Sequence, residues 1–231
     1  NLATDGARVW INGTSIHPSI YIKDPDSTID EKEFYFWDLC GHLVVKNVMD
    51  AGWVERANEA IDKFEDRIVV GQELSRGSKS MWGTGRPTLG GLLEFPEPYC
   101  DPFREMIAHP AVIHRLNWMI GSGYRTGGPS AFCSVQGSTG HSLHDANEPL
   151  DPYRSYVFQN GRSYTEGGPA VTVTWQLRDV ALGLGGFACV PGSHKAYYPM
   201  PEGIRTCDED MGLVVQPVME AGDVLFFMDG G

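Results

Sequence analysis

The sequence predicts an α+β fold that is mainly β, with the strands of a jelly roll or sandwich and with helices packed on one sheet. Apolar residues recur at helical spacing after Asp50. Residues 171–177 alternate between apolar and polar side chains, which is typical of a half-buried strand. Short apolar runs separated by glycine and proline turns fill the second half. We therefore predict one domain over residues 1–231, helix-rich in 1–128 and built of jelly-roll strands in 129–231.

The helix-rich part carries clear local signals. Asn12-Gly13 is a two-residue hairpin turn, Asp50 is a helix-capping residue, and Asp101-Pro102 places a capping residue before a first-turn proline. Pro110 is expected to break or kink the helical region that follows Asp101. The predicted elements are a hairpin over 9–16, a strand over 43–45, a helix whose apolar positions run to residue 68, a loop over 75–91, and the helical region that starts at 101.

The strand-rich part is predicted from runs of β-branched and aromatic residues. Asn160-Gly161 separates two such runs and is a second hairpin signal. The predicted strands cover residues 131–136, 156–159, 162–164, 171–177, 187–190, 213–216 and 224–228. Several short strands of this kind favour a sandwich or a jelly roll.

Composition excludes some classes of partner. The 231 residues hold 18 Lys and Arg against 30 Asp and Glu, for a net charge of −12. Such a charge repels nucleic-acid phosphates and anionic lipid, so we expect neither nucleic acid nor a membrane surface as a partner. The five cysteines are odd in number and include no Cys-x-x-Cys pair. We interpret them as reduced thiols of a cytoplasmic protein. The oligomeric state cannot be predicted from the sequence.

The densest group of potential metal ligands is His141-Ser142-Leu143-His144-Asp145. Imidazole and carboxylate together suit iron(II), zinc or manganese, and two histidines with one carboxylate suit non-haem iron oxygenases. A histidine-rich turn that hydrogen-bonds only to its own loop is the alternative interpretation. Spacing alone does not separate the two.

The surrounding segments resemble the phytanoyl-CoA dioxygenase family of iron(II)/2-oxoglutarate-dependent oxygenases. The resemblance runs through most of the chain, and its most specific parts are Leu177-x-Asp179 and Val190-Pro191-Gly192-Ser193-His194. The four segments that carry it are 34–64, 140–149, 171–195 and 221–227. The resemblance implies a double-stranded β-helix of the cupin-like jelly-roll type. It further implies a dioxygenase, an oxidoreductase that uses Fe(II), 2-oxoglutarate and O2 to hydroxylate a small-molecule substrate.

The same resemblance implies which residues bind the metal. The family motif is His-x-Asp, and with its histidine on His144 the carboxylate position falls on Ala146. Asp145 is then the candidate carboxylate, although on an extended strand its side chain points to the opposite face. Ala146 resembles the halogenase variant of the family, in which a halide occupies the vacant position. The family's distal histidine and its 2-oxoglutarate-binding arginine are expected beyond Gly231, so this chain is expected to be incomplete.

Four further residues are candidates for binding. Thr172 aligns with a family position that contacts 2-oxoglutarate, and Gln136 is a second candidate for binding this co-substrate. His141 and Trp175 are candidate substrate contacts. The alternatives are that His141 and Gln136 are polar contacts without a catalytic part and that Trp175 packs against the helices. His194 is interpreted as a structural histidine of its turn. A metal-free binding module that retains the fold is the alternative to an enzyme.

Overall fold

The computed structural model describes residues 2–5, 8–11, 14–16, 31–71, 78–79, 81–144, 156–159, 162–165, 171–196 and 198–228. Five helices lie in these ranges: α1 Glu31–Cys40, α2 Ala51–Lys63, α3 Asp101–Ala108, α4 Pro110–Met119 and α5 Glu202–Arg205. Within the described ranges no helix has both the length and the apolar character needed to cross a membrane.

The strands form four small antiparallel sheets. They are β1 Leu2–Asp5, β2 Arg8–Ile11, β3 Thr14–Ile16, β4 His42–Val45, β5 Val69–Val70, β6 Pro87–Leu89, β7 Ala131–Phe132, β8 Tyr156–Gln159, β9 Arg162–Thr165, β10 Val171–Trp175 and β11 Val224–Met228. The sheets have the orders β1–β2–β3, β10–β11–β4, β5–β6–β7 and β8–β9. The mixture of helices and antiparallel sheets is confirmed, and in the described part of the chain the sheets do not close into a barrel.

The predicted helix after Asp50 is confirmed. The Asp50 carboxylate accepts a hydrogen bond from the backbone N–H of Trp53 at 2.7 Å and so satisfies one of the free donors at the start of α2. The buried residues Trp53, Ala57 and Ala60 follow one face of the helix. Its last helical residue is Lys63, so the apolar positions predicted beyond it lie outside the helix.

Proline ends α3 as predicted, because α3 stops at Ala108 and α4 begins at Pro110. The predicted cap of α3 is wrong by one residue: Cys100 is the capping residue, and Asp101 is already helical. Segment 75–91 is not entirely loop, because Pro87–Leu89 pairs with strands on both sides as β6. The helix α1 was not predicted, because the sequence pattern indicated no element for residues 31–40.

Both predicted hairpins are confirmed by their registers, in which Ile11 pairs with Thr14 and Gln159 pairs with Arg162. Their turn residues lie outside the described residues. The strand predicted over 131–136 is confined to β7. Segments 187–190 and 213–216 form no continuous strands, and an isolated bridge between Cys189 and Val215 joins them.

The sheet β10–β11–β4, which we call the central sheet, separates two apolar regions. Its helix face packs against α1 and α4 in a core that includes Trp37, Leu116 and Phe226. Its opposite face, which we call the inner face, carries Val44 and Leu225. A second core forms where α2 and α3 pack around Leu89, Leu92 and Phe95. Helices therefore cover one side of the central sheet, and the inner face is in contact with residues such as Phe187 and Met219.

Candidate functional site

The inner face of the central sheet carries a row of three side chains on three neighbouring strands. Thr172 of β10 pairs with Phe227 of β11, which in turn pairs with His42 of β4. Directly paired residues point to the same side of a sheet, and neighbouring strands lie about 4.8 Å apart. Thr172 and His42 are therefore on the same face, roughly 10 Å apart. The next row consists of Thr174, Leu225 and Val44.

Residues from outside the sheet close part of this face. The Phe187 ring lies 4.7 Å from the Phe227 ring and 5.7 Å from the His42 ring, measured between centroids. Met219 packs on Val44 and Leu225, which are fully buried. Thr172 and Thr174 of β10 are both half-buried. The inner face is thus closed over Val44 and Leu225 and partly accessible along β10.

His42 is buried, with 1% of its surface exposed. Its Nδ1 lies 3.2 Å from the carbonyl oxygen of Cys40 and 3.5 Å from the Sγ atom of Cys189. A carbonyl oxygen only accepts hydrogen bonds, so the proton lies on Nδ1. Burial raises the pKa of the Cys189 thiol, and the nearby Cys40 adds to that shift, so this thiol stays protonated at neutral pH. The pair is a packing contact rather than an activated nucleophile.

The predicted metal-binding segment, residues 140–144, has no regular secondary structure and bends at Leu143, and we call it the histidine turn. The backbone N–H of Gly140 donates to the carbonyl oxygen of Met81 at 2.9 Å. Further along, the N–H of Leu143 donates to the carbonyl oxygen of Arg205 at 2.8 Å, and the Arg205 guanidinium lies 3.5 Å from the Leu143 carbonyl oxygen. The histidine turn is therefore fixed to two separate segments of the chain.

His144 is exposed on this turn, and its ring is held by its own backbone. Its Nδ1 lies 2.7 Å from the carbonyl oxygen of Ser142. Since the carbonyl can only accept, Nδ1 carries the proton and the lone pair is on Nε2. Such a hydrogen bond is the usual way in which proteins fix the tautomer of a metal-binding histidine. The geometry of His144 therefore fits the role of a metal ligand.

The other predicted ligand, Asp145, and the neighbouring Ala146 lie outside the described residues. Across the ranges that the structure describes, no three His, Cys, Asp or Glu side chains are grouped so that they could hold a metal ion. His144 is thus the predicted ligand whose geometry can be assessed, and the identity of the carboxylate stays a prediction.

The remaining predicted residues lie in different places. His141 is half-buried and its ring stacks on that of His144, with centroids 3.5 Å apart. Gln136 is exposed in a turn that precedes the histidine turn. Trp175 belongs to the helix face, where its ring lies 5.4 Å from the Trp53 ring. Trp175 therefore packs against the helices, on the side of the sheet opposite to Thr172. The binding roles of Gln136, His141 and Trp175 stay predictions.

His194 of the Pro-Gly-Ser-His turn has a structural environment. Its Nε2 lies 3.0 Å from the carbonyl oxygen of Asp38 and therefore donates to it. Lys195, the next residue, forms an ion pair with the Asp38 carboxylate at 2.6 Å. Burial lowers the pKa of His194 to about 4, so the ring is neutral at physiological pH. These contacts hold the Pro-Gly-Ser-His turn against the C-terminal end of α1.

Sequence reasoning did not single out His42 or Phe187 as part of the inner face. For His42 a signal was present, because period-two alternation through the strand 42–45 puts His42 and Val44 on one face. For Phe187 the contact with the sheet comes from a loop, and strand periodicity gives no information about a loop.

Similar proteins place this architecture in a known family. A model of the phytanoyl-CoA dioxygenase (PhyH) family matches residues 37–229. None of the curated proteins matches the chain. Among solved structures, HygX from Streptomyces hygroscopicus with nickel and 2-oxoglutarate bound is similar with a TM-score of 0.64 and 17% identity, over 88% of this chain and 79% of HygX.

Two enzymes of nogalamycin biosynthesis are also similar. The non-haem α-ketoglutarate-dependent epimerase SnoN has a TM-score of 0.55 and 21% identity over 86% of this chain and 71% of its own. The non-haem α-ketoglutarate-dependent carbocyclase SnoK has a TM-score of 0.54 and 16% identity over 87% and 75%. At these identities the likeness shows a shared fold, whereas the family match covers most of the chain. The chain belongs to the phytanoyl-CoA dioxygenase family.

Proposed function

We propose that this protein is a non-haem iron(II)/2-oxoglutarate-dependent oxygenase that hydroxylates a small organic molecule. The observation that carries the proposal is the fixed ring of His144, whose Nδ1–H donates to the Ser142 carbonyl and leaves Nε2 available to a metal ion. It lies within the match to the phytanoyl-CoA dioxygenase family, over residues 37–229. The fold we propose is the double-stranded β-helix, of which the central sheet is one part.

His144 and Asp145 would hold the iron. When bound, iron supplies the chemistry that couples oxidation of 2-oxoglutarate by O2, to succinate and CO2, to oxidation of the substrate. The chain's part is to offer Nε2 of His144, rather than Nδ1, to the metal and to hold the segment that carries this ring. The hydrogen bond to Ser142 occupies Nδ1, and the backbone bonds of Gly140 and Leu143 hold the segment.

Thr172 is the proposed contact to 2-oxoglutarate. Its hydroxyl is a hydrogen-bond donor on a half-buried face whose neighbours, Phe227 and Phe187, are apolar. A hydrogen bond to a carboxylate is stronger where water is excluded than at an open surface. The apolar neighbours therefore favour recognition of the co-substrate at Thr172 over recognition at a solvated loop such as that of Gln136.

The proposed partners are small molecules and O2. HygX has been solved with hygromycin B and SnoN with nogalamycin RO, and both ligands are small organic molecules. The net charge of −12 disfavours nucleic acid and anionic membranes as substrates. A cytoplasmic location is also part of the proposal, and the five cysteines, all free thiols in the structure, support it.

Replacement of His144 by alanine tests the metal site. Because His144 supplies a nitrogen ligand, we expect Fe(II) affinity to fall at least about 100-fold, above the range seen when only an outer partner of a metal-binding histidine is lost. Anaerobic titration of the full-length protein with Fe(II), read by calorimetry, measures the change. His114→Ala, a change at an exposed histidine of α4, is the control.

The same titration separates the proposed enzyme from a metal-free binding module. Full-length wild-type protein that binds no Fe(II) while showing a native circular dichroism spectrum would contradict the enzyme. Wild-type protein that binds Fe(II) but releases chlorinated product in the presence of chloride would favour the halogenase variant suggested by Ala146.

Replacement of Thr172 by valine tests the co-substrate site. The change removes one hydroxyl and nearly keeps the shape, and a lost hydrogen bond to a charged group costs about 1.5–3 kcal/mol. We therefore expect the Kd for 2-oxoglutarate to rise about 10- to 150-fold. Thr174→Val is the matched control, because Thr174 is equally half-buried on the same face, one row away beside Leu225. Equal effects of the two changes would place 2-oxoglutarate elsewhere.

A further inference from the structure

The side chain of His144 is exposed, so a metal ligand at this position needs contacts that fix its orientation. An exposed imidazole turns freely about its side-chain torsions, and ordering such a side chain on binding costs roughly 0.5–1.5 kcal/mol, or about 2- to 10-fold in affinity. Metal sites reduce this cost by fixing the ligand before the metal arrives. The backbone of the histidine turn is already fixed by the bonds from Gly140 to Met81 and from Leu143 to Arg205.

Two contacts restrain the His144 ring itself. The first is the hydrogen bond from Nδ1 to the Ser142 carbonyl oxygen, at 2.7 Å, which holds one edge of the ring. The ring turns about two side-chain torsions, and one hydrogen bond at an edge does not by itself fix both of them. The second contact is the stack on His141, in which the ring centroids are 3.5 Å apart and the planes differ by 26°. The stack adds the second restraint, which acts on the plane of the ring.

The stacked arrangement also argues against His141 as a ligand of the same metal ion. The lone pair of an imidazole nitrogen lies in the plane of its ring. Two nearly parallel rings, one on top of the other, have lone pairs that run side by side and do not converge on one point. His141 would have to leave the stack before it could share an ion with His144.

We infer that His141 is a positioning residue, which holds the imidazole plane of His144 in the orientation that accepts the metal. The inference rests on the proposed function, since it concerns the site in which His144 is a ligand. In this role the flat shape of the His141 ring matters, and its nitrogen atoms do not. This part differs from the substrate contact predicted from the sequence.

Two substitutions of His141 distinguish the effect of its ring shape from the effect of its nitrogen atoms. His141→Phe keeps a flat ring and removes both nitrogen atoms, whereas His141→Ala removes the ring. The probe is Co(II), whose visible absorption reports its coordination, and affinity is measured by titration of the folded chain. We expect His141→Phe to bind Co(II) within about twofold of wild type. We expect His141→Ala to bind roughly tenfold more weakly with an unchanged absorption spectrum, which is at the low end for outer partners of metal ligands.

Each other result contradicts the inference. Equal weakening by His141→Phe and His141→Ala, with an altered spectrum, would make His141 a ligand. Unchanged affinity in both would show that the stack has no role. Unchanged binding in His144→Ala would instead contradict the proposed function, so the two failures are distinguishable. If His141→Ala does not fold by circular dichroism, His141→Leu replaces it, because leucine fills the space without presenting a ring plane.

Discussion

Replacement of Glu33 by alanine is expected to lower the free energy of unfolding by about 3–5 kcal/mol. Glu33 of α1 and Arg115 of α4 form an ion pair in which both side chains are 2% exposed or less. The Arg115 Nε–H donates to Glu33 Oε1 at 2.6 Å, and Arg115 Nη1 donates to the Ala111 carbonyl oxygen at 3.0 Å. Removing the carboxylate leaves a buried guanidinium without its counter-charge, which is far costlier than losing an exposed pair.

The chain offers a matched control for this prediction. Arg56 and Glu105 also join two helices, α2 and α3, but their side chains are 51% and 49% exposed. Glu105→Ala should therefore cost no more than about 1 kcal/mol. Urea unfolding of both variants measures the difference. The double variant Glu33→Leu with Arg115→Met should recover most of the loss, because apolar side chains of similar size need no counter-charge. Similar losses for Glu33→Ala and Glu105→Ala would contradict the prediction.

The sequence predicts elements whose signals lie within their own residues, and the Glu33–Arg115 ion pair shows why α1 was not among them. The helix α2 has a capping residue and apolar positions at helical spacing, and β10 alternates strictly, so both signals lie within the elements themselves. The helix α1 is different. Its aromatic residues, such as Phe34, Phe36 and Trp37, are as typical of strands as of helices. A partner 82 positions along the chain, Arg115, helps to hold this segment against α4, and a local pattern does not contain such information.

The same reasoning applies to the candidate site. The histidine turn was found by composition, and the polar positions of β10 were found by alternation, because both are properties of short segments. The row formed by Thr172, Phe227 and His42 depends on how three strands far apart in sequence are paired. Register of this kind is set when the sheet assembles, through burial of one face. The sequence could therefore predict individual candidates such as Thr172 and could not predict their neighbours.

Replacement of Gly41 by alanine is the second change with a large expected effect on stability. Gly41 follows α1 with a φ of +75°, a conformation that costs other residues roughly 1–2 kcal/mol. A Cβ atom at this position would lie less than 3 Å from the Nδ1 and Cε1 atoms of the His194 ring and 3.0 Å from its Cγ atom. That ring is buried and bonded to Asp38, and displacing it adds an overpacking cost of about 1–3 kcal/mol. We expect a total loss of about 2–5 kcal/mol in the free energy of unfolding.

The two parts of this loss can be separated with a second glycine. Gly123 has a φ of +86°, and no atom lies within 4 Å of the position its Cβ would take. Gly123→Ala should therefore cost only the backbone part, about 1–2 kcal/mol. The additional loss of unfolding free energy in Gly41→Ala, relative to Gly123→Ala, measures the clash with His194. It should shrink when His194→Ala is already present, because the smaller side chain leaves room, and urea unfolding of the double-mutant cycle gives this coupling. Equal losses at Gly41 and Gly123, or no coupling to His194, would mean that the ring moves aside at little cost. The end of α1 would then be held by the other contacts of the Pro-Gly-Ser-His turn, which are the hydrogen bond from the Gly192 N–H to the Cys40 carbonyl oxygen and the Lys195–Asp38 ion pair.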